Sequence, residues 1–464
     1  MIQNNKNKNL IKTKICIIGL GPAGIGTAFT FWKHGFSKNL ICIDAGNLNN
    51  RNCPVLFNQK CIKIEPCQVL SGLGGCSLFG GKISHFPAGG GLVNILGSKE
   101  KALKEIEKAF KYISYNIFLK GTEMINKDIE EAREFFNQLG FKYKYYKVYT
   151  YNAKELRKMF HNVISSLVSD GARIFFNTHM IDIKKIEKDN FMVLAKQAGK
   201  NIVIHTNYLV IGVGRLGISL LKGLNSKFKL GGKENHLEVG VRIEFPTRLC
   251  PNIDKYHKDL KLLFGDARTY CLCKNGKIAL YHIDGVCFTE GYFTSESSTD
   301  LTNIGILVRL KPSSHNNKIL YEIRKKTLKL TKGKPGVQTL NEYLAMNNAS
   351  KKANLPFKPS ISYWEKANIN NLFPSSISEK IKNAVHYFVS RIFPKNYWKN
   401  VIVFAPEVHY TGPSFPVKSD FSILPRMYLI GECTGRFRGI LQAFTSGMIC
   451  AENIIGEIND EKIR

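Results

Sequence analysis

The chain has 464 residues, enough for two or three domains with sizeable cores, and its 44% hydrophobic content excludes a disordered polymer. No run of about 18 apolar residues occurs and the opening Met1-Ile-Gln-Asn-Asn-Lys carries no apolar leader, so the expectation is a soluble, cytoplasmic protein without a membrane span. The 67 Lys and Arg against 36 Asp and Glu give a net charge of +31, which leaves two readings open: a biased composition spread over a solvated surface, or a surface for an acidic partner such as nucleic acid, an acidic carrier protein or an anionic membrane.

Residues 1–13 read as a frayed basic lead-in. Lys14-Ile-Cys-Ile-Ile then has the composition of a buried parallel strand and runs into Gly19, Gly21 and Gly24, followed by helix-forming sequence to Gly35 with Pro22 suited to its first turn. Gly19 permits a tight turn, Gly21 lets a pyrophosphate approach the backbone, and Gly24 lets the helix lie close on the sheet. The helix N-terminus, Ala23 included, favours the phosphate charge. Leu40-Ile-Cys-Ile is a second strand; Asp44 and Ala45 follow it, the carboxylate 20 residues beyond Gly24 and placed to accept from a ribose hydroxyl. The whole reads as a dinucleotide cradle, for NAD or FAD.

Residues 46–96 form a connection too long to be idle. Its centre, 71–91, contains Gly74 and Gly75 among many small residues, with Phe79, Lys82, Ile83 and Phe86 interspersed, as suits a backbone passing close to a planar ring such as a flavin. His85 follows as a candidate acid or base, and Lys82 as a candidate for an anionic substrate. Helices are predicted over 99–112, 126–139 and 153–169, then strands at 172–178, a hairpin around Asp189-Asn190, and a strand at 208–212. Gly212-Val-Gly-Arg-Leu-Gly217 imitates a second cradle, but the next strand carries Glu238 at its start, so Gly212 and Gly214 are read as a turn returning to the first cofactor.

Short alternating strands follow at 237–245, 269–273, 277–283, 286–293 and 303–310, with Asn275-Gly276 and Asp284-Gly285 as hairpin turns. They predict an antiparallel second domain. Residues 311–400, with 17 Lys and Arg against 4 Asp and Glu and six prolines, are expected to be a mostly helical, basic cap. Strands at 401–404 and 427–430 return to the first domain's pattern, and the glycine-rich 431–443 leads into a helix through 455, a second place where backbone N–H groups can meet a cofactor.

The 12 cysteines read as reduced thiols. Cys53, Cys61, Cys67 and Cys76 could supply four thiolates to a metal, but they lack a Cys-x2-Cys pair, so they read first as structural thiols, with a metal centre or a redox-active pair as the alternatives. Cys271 and Cys273 alternate on a strand, which predicts that they face opposite ways and do not line one site.

These blocks together resemble the two-domain FAD-dependent oxidoreductases of the glutathione-reductase-like group, and within it the poorly characterised FAD-dependent dehydrogenases. The resemblance is carried by Gly19–Gly24 with Asp44, the 72–82 loop, 239–244, 268–273, Ala405-Pro-Glu407, Gly431-Glu-Cys-Thr-Gly435, 438–443 and Ser446-Gly447. It implies that Gly19, Gly21, Pro22, Ala23 and Gly24 hold the FAD pyrophosphate, Asp44 and Ala45 the adenosine ribose, and Gly74, Gly75, Gly212 and Gly214 close over the cofactor. Gly431, Glu432, Arg438, Gly439, Ile440 and Gln442 are implied at the ribityl and flavin side. The loop departs from the family pattern at Phe79-Gly-Gly-Lys82, where a carboxylate is missing, and Glu432 stands where the family often has Asp.

The fold expected is α/β: a Rossmann-type FAD-binding domain in three parts (1–98, 151–220 and 425–464), a helical insertion at 99–150, and an α+β substrate or cap domain built on an antiparallel sheet at 221–424. The activity expected is hydride transfer between flavin N5 and a small-molecule organic substrate, with NAD(P)H as a candidate electron donor. Lys82 and His85 are the catalytic candidates, and Arg242, His409 and Tyr410 the substrate candidates. The alternatives are a flavoenzyme acting on nucleic acid or on a substrate held by an acidic carrier protein, and a flavin-binding protein without turnover.

Overall fold

The computed structural model describes residues 9–49, 53–57, 59–77, 81–121, 124–186, 190–251, 253–293, 299–346 and 354–463. Most of the basic lead-in, Phe79 and Gly80 of the glycine loop, and Asp189 of the predicted hairpin lie outside the described residues.

The apolar run Asn9–Ile18 is the middle of a parallel sheet because both its faces are covered. Ile15–Ile18 pair on one side with Leu40–Ile43 and on the other with Tyr208–Ile211. The strand order across this sheet is Ser422–Leu424, Met427–Leu429, Lys200–Ile211, Asn9–Ile18, Leu40–Ile43 and Arg173–Phe175; Thr178–Ile186 and Asn190–Gln197 form an antiparallel hairpin that pairs with the first half of Lys200–Ile211. Helix Pro22–Lys33 and the C-terminal helix Ile440–Ile463 pack together on this sheet. Helix Ala153–Ser169 adds Leu156, Met159, Phe160, Val163, Ile164 and Leu167 at helical spacing to the same core, its start capped by the Asn152 side chain.

The second sheet runs Glu365–Lys366, Gly336–Thr339, Ile402–His409, Leu237–Pro246, Leu301–Leu310, Ala267–Cys273, Leu262–Phe264 and Lys142–Tyr143. It is antiparallel except at the edge pair Gly336–Thr339 and Glu365–Lys366. One expectation, that the strands over 237–310 share a single sheet, is corrected here. Lys277–Ile283 and Val286–Tyr292 form a separate two-stranded hairpin, turned by Asp284 and Gly285 at φ 49° and 76°, the positive pair a type I′ turn requires. The 311–400 segment is not only helical: besides helices His315–Thr331 and Ser375–Ile392 it supplies the strand Gly336–Thr339, whose Val337 is fully buried, so burial overrides its polar neighbourhood. No helix among the described residues is long and apolar enough to cross a membrane.

Inside the second sheet Arg242 and Glu407 form a bidentate pair, Nε and Nη2 each 2.7 Å from a carboxylate oxygen, with Nη1 donating to Asn303 Oδ1 at 2.8 Å and to the Cys271 carbonyl at 3.1 Å. Both side chains are fully buried. Space for them exists because Gly305 and Gly291 carry no Cβ: one on Gly305 would stand 2.6 Å from Glu407 Oε1, and one on Gly291 2.8 Å from Arg242 Nη1. Removing one partner leaves an uncompensated buried charge. Arg242→Met or Glu407→Met alone is therefore expected to destabilise the protein by about 3–5 kcal/mol, and the double variant to regain much of that, in chemical denaturation.

Candidate functional site

The two sheets meet over one cavity of about 990 Å³, the upper end of the ~300–1,000 Å³ typical of small-molecule sites. At one end it is walled by the start of helix Pro22–Lys33. Gly19 has φ 95° and is packed so closely on the returning turn that a Cβ there would meet the Gly212 carbonyl oxygen at 2.5 Å. A Cβ on Gly24 would meet the Gly19 carbonyl oxygen at 1.9 Å. A Cβ on Gly21 would meet nothing within 4 Å, so the cradle is closed behind and open toward the cavity. The helix begins with Pro22 in its first turn, no side-chain cap and no acidic residue there, which leaves its first N–H groups to the cavity.

Asp44 lines the same end but is already engaged. Oδ1 accepts the amide N–H groups of Gly46 and Gly72 at 2.8 Å each, and Oδ2 accepts that of Leu20 at 2.7 Å. Burial pushes its pKa up against these three donors. The carboxylate thus ties together the first strand's end, the second strand's end and the glycine loop, and Oδ2 retains a lone pair for one further donor. Gly74 donates its amide to the Leu20 carbonyl at 2.8 Å, which folds the loop so that Gly75 lies over Gly21.

Of the residues singled out from sequence, Gly19, Gly21, Pro22, Ala23, Asp44, Ala45 and Gly75 line this end, and Gly212, Gly214, Glu432, Arg438, Gly439 and Ile440 line the adjoining wall. Gly24, Gly74, Gly431 and Gln442 stand behind it: Gly431 N–H donates to Ser446 Oγ, and Gln442 Nε2 donates to the Ser84 and Ala88 carbonyls. Lys82 and His409 line the cavity; His85, Arg242 and Tyr410 do not. His85 is packed between Phe110 and Tyr149 with Nε2 3.3 Å from Glu107 Oε1, Arg242 is spent on Glu407, and the Tyr410 hydroxyl turns to Glu234.

The opposite-face expectation for Cys271 and Cys273 is overturned. Cys271 has φ 42° and the pairing register with Leu301–Leu310 shifts between Tyr270 and Cys273, so a bulge breaks the alternation and both thiols line the cavity. A single Cβ placed on Gly291 would lie 2.9 Å from both Cys271 Cβ and Cys273 Sγ. Cys76 also lines the cavity, with its side chain exposed. No cluster of three or more His, Cys, Asp or Glu side chains suited to a metal ion occurs among the described residues.

The far end is built mainly by the second sheet, and its Tyr146, Asp259 and Lys261 were not read from sequence. Lys82 Nζ donates to the Leu272 carbonyl and stands 3.9 Å from Asp259 Oδ1; Tyr146 donates to Asp259 Oδ2 at 2.7 Å. Burial acts to raise the Asp259 carboxyl, but Lys82, Lys261 and Tyr146 more than offset it and hold it below its ordinary value. Arg438 donates to His409 Nδ1 at 2.5 Å, and since a guanidinium has no acceptor, the His409 proton sits on Nε2, 3.5 Å from Glu407 Oε1. Sequence signals for Tyr146, Asp259 and Lys261 were absent because each owes its place to a neighbour more than 100 residues away or to the fold of the loop beside it.

No family model and no curated protein matches the chain. Among solved structures it is similar to a triple mutant of the flavin-dependent brominase Bmp2 (12% identity, 96% of this chain, 80% of that chain, TM-score 0.40). It is also similar to a geranylgeranyl bacteriochlorophyll reductase-like protein from Thermoplasma acidophilum (11%, 98%, 80%, 0.41) and to a flavoprotein/dehydrogenase from Cytophaga hutchinsonii (10%, 97%, 79%, 0.40). Likenesses this distant assign no chemistry, which rests on the residues themselves.

Burial, then the guanidiniums of Arg438, Arg215, Arg242 and Arg268, hold His409 well below the ordinary histidine range. The folded chain thus refuses a proton that the unfolded chain accepts below about pH 6.5, so this residue's contribution is complete above that pH and is lost as pH falls. Between about pH 7 and 5 the wild type is expected to lose up to ~1.4 kcal/mol per unit more than His409→Gln; parallel thermal-stability profiles would contradict the assignment.

Proposed function

We propose that the protein is an FAD-dependent oxidoreductase that moves a hydride between the flavin and an organic substrate held in the cavity. The observation that carries the reading is the cradle at Gly19–Gly24, closed on its inner side, where a Cβ on Gly19 or Gly24 would meet backbone within 3 Å, and open beside Gly21. Gly19, Gly21, Pro22 and Ala23 would hold the pyrophosphate at the helix start, and Asp44 Oδ2 a ribose hydroxyl. Gly212, Gly214, Gly439 and Ile440 would bound the remainder, with Arg438 and Arg215 supplying positive charge. When bound, FAD supplies the two-electron centre that the side chains lack, with NAD(P)H as the candidate donor.

The chain's own residues supply binding and exclusion of water. Tyr270 and His409 pack with ring centres 4.4 Å apart and planes tilted by 36°, covering one wall. The Tyr146 hydroxyl, pushed well up by burial and then by Asp259, stays protonated and acts as a fixed donor. Arg438 charges the wall beside Glu432, its Nε 3.2 Å from Oε1.

The test uses the difference between Gly21 and Gly24. Gly21 has φ −70° and ψ −175°, which any residue adopts, and open space where a side chain would go. Gly21→Val is expected to fold with nearly unchanged stability yet to bind FAD on the order of 100-fold more weakly, a loss of ~2.7 kcal/mol. Gly24→Ala strikes the Gly19 backbone and is expected to lose stability and flavin together. Calorimetric titration with FAD reads both, and Gly21→Val binding as tightly as wild type would end the proposal. Anaerobic addition of NADH or NADPH to the FAD-loaded protein then tests the donor through loss of the oxidised-flavin absorbance.

A further inference from the structure

The far end of the cavity carries more positive charge than its own carboxylates neutralise. Lys82, Lys261, Arg268 and Arg309 line it, against Asp259 and Glu238. Glu238 is shared by Arg268, with Nη2 2.5 Å from Oε1, and by Arg309 at 3.7 Å. Asp259 takes the Tyr146 hydroxyl and faces Lys82. The Lys261 ammonium has no hydrogen bond or ion pair within 4 Å among the described residues: it lies 4.3 Å from the centre of the Tyr270 ring, and Asp259 and Glu238 attract it only from farther off. Arg268 sits on the same ring, its guanidinium carbon 4.6 Å from the centre, and its Nε is buried without a hydrogen-bond partner. Burial, then repulsion from Arg268, holds the Lys261 pKa below its ordinary value although Asp259 and Glu238 pull it the other way.

A lysine ammonium is strongly hydrated, so leaving it in a partly closed cavity without an acceptor is unfavourable unless a ligand completes it. We propose that this end of the cavity binds a carboxylate of the organic substrate, with Lys261 as its main partner, Arg268 Nε as a second donor and the Tyr270 ring as an apolar flank. Asp259 and Glu238 in the same wall disfavour a dianion, which selects a carboxylate over a phosphate monoester. Lys261, Arg268 and Tyr270 belong to the second sheet or to the segment beside it, away from the cradle at Gly19–Gly24. The inference rests on the flavoenzyme reading for the chemistry that follows binding; the anion site itself is tested without it.

The experiment is calorimetric titration of the full chain, FAD-loaded and flavin-free, with phenylacetate, its neutral isostere phenylacetamide and phenyl phosphate, alongside short and long aliphatic carboxylates. At least one carboxylate is expected to bind on the order of 10-fold or more tightly than its amide. Lys261→Met is expected to bring acid and amide within about threefold of each other, Lys261→Arg to keep the preference, and the surface change Lys380→Met to leave it untouched. Melting temperatures of the variants show whether each is folded. Equal binding of acid and amide, no binding by any carboxylate, or an unchanged preference in folded Lys261→Met would overturn the proposal. Phenyl phosphate binding more tightly than phenylacetate would overturn the carboxylate assignment. Failure of the flavoenzyme reading shows separately, as absent flavin absorbance with the acid preference intact.

Discussion

The candidate site depends on backbones packed closer than any side chain allows. The helix Pro22–Lys33 touches the chain around it at glycines: a Cβ on Gly24 would meet the Gly19 carbonyl oxygen at 1.9 Å, one on Gly26 the Phe444 carbonyl oxygen at 2.4 Å, and one on Gly447 the Ala23 carbonyl oxygen at 2.0 Å. These contacts lock the first strand, the first helix and the C-terminal helix into one body. They also fix where the helix's free N–H groups point. Only Gly21 within this cluster faces open space, so the same packing that makes the core also makes the opening.

The second sheet sets the other wall by a different device. There a fully buried arginine and glutamate hold the middle strands together, in space freed by Gly291 and Gly305. Arg242 Nη1 also holds the carbonyl of Cys271, the residue at which the strand bulges. The bulge turns two thiols toward the cavity, and the flanking Arg268 and Tyr270 carry charge and an aromatic face to it. A pair that reaches no cavity wall therefore shapes the chamber in which a substrate would sit.

What was legible in the sequence was local. The spacing of Gly19, Gly21 and Gly24, the acid at Asp44 and the turn at Asp284-Gly285 each encode a backbone requirement within a few residues, and the structure realises the helix over Ala153–Ser169 with the bounds expected; Asn275-Gly276 turns the chain as read, but between strands of two different sheets and not within a hairpin. What was not legible depends on partners far along the chain. Asp44 reads as a ribose acceptor, yet three backbone amides already occupy it, one of them from Gly72. Arg242 reads as a substrate cation and is consumed by Glu407, 165 residues on. Alternation put Cys271 and Cys273 on opposite faces, because period-two reasoning has no knowledge of a bulge. Lys261 and Asp259 carried no motif at all; only the meeting of two sheets gives them a shared cavity.

The most direct measurement of the central claim is a crystal structure of the protein loaded with FAD. The account predicts one FAD per chain, with its pyrophosphate at the amides of Gly21 to Gly24 and its adenosine ribose within hydrogen-bond reach of Asp44 Oδ2. Protein that takes up no FAD, or FAD bound with the Gly19–Gly24 cradle left empty, would contradict it.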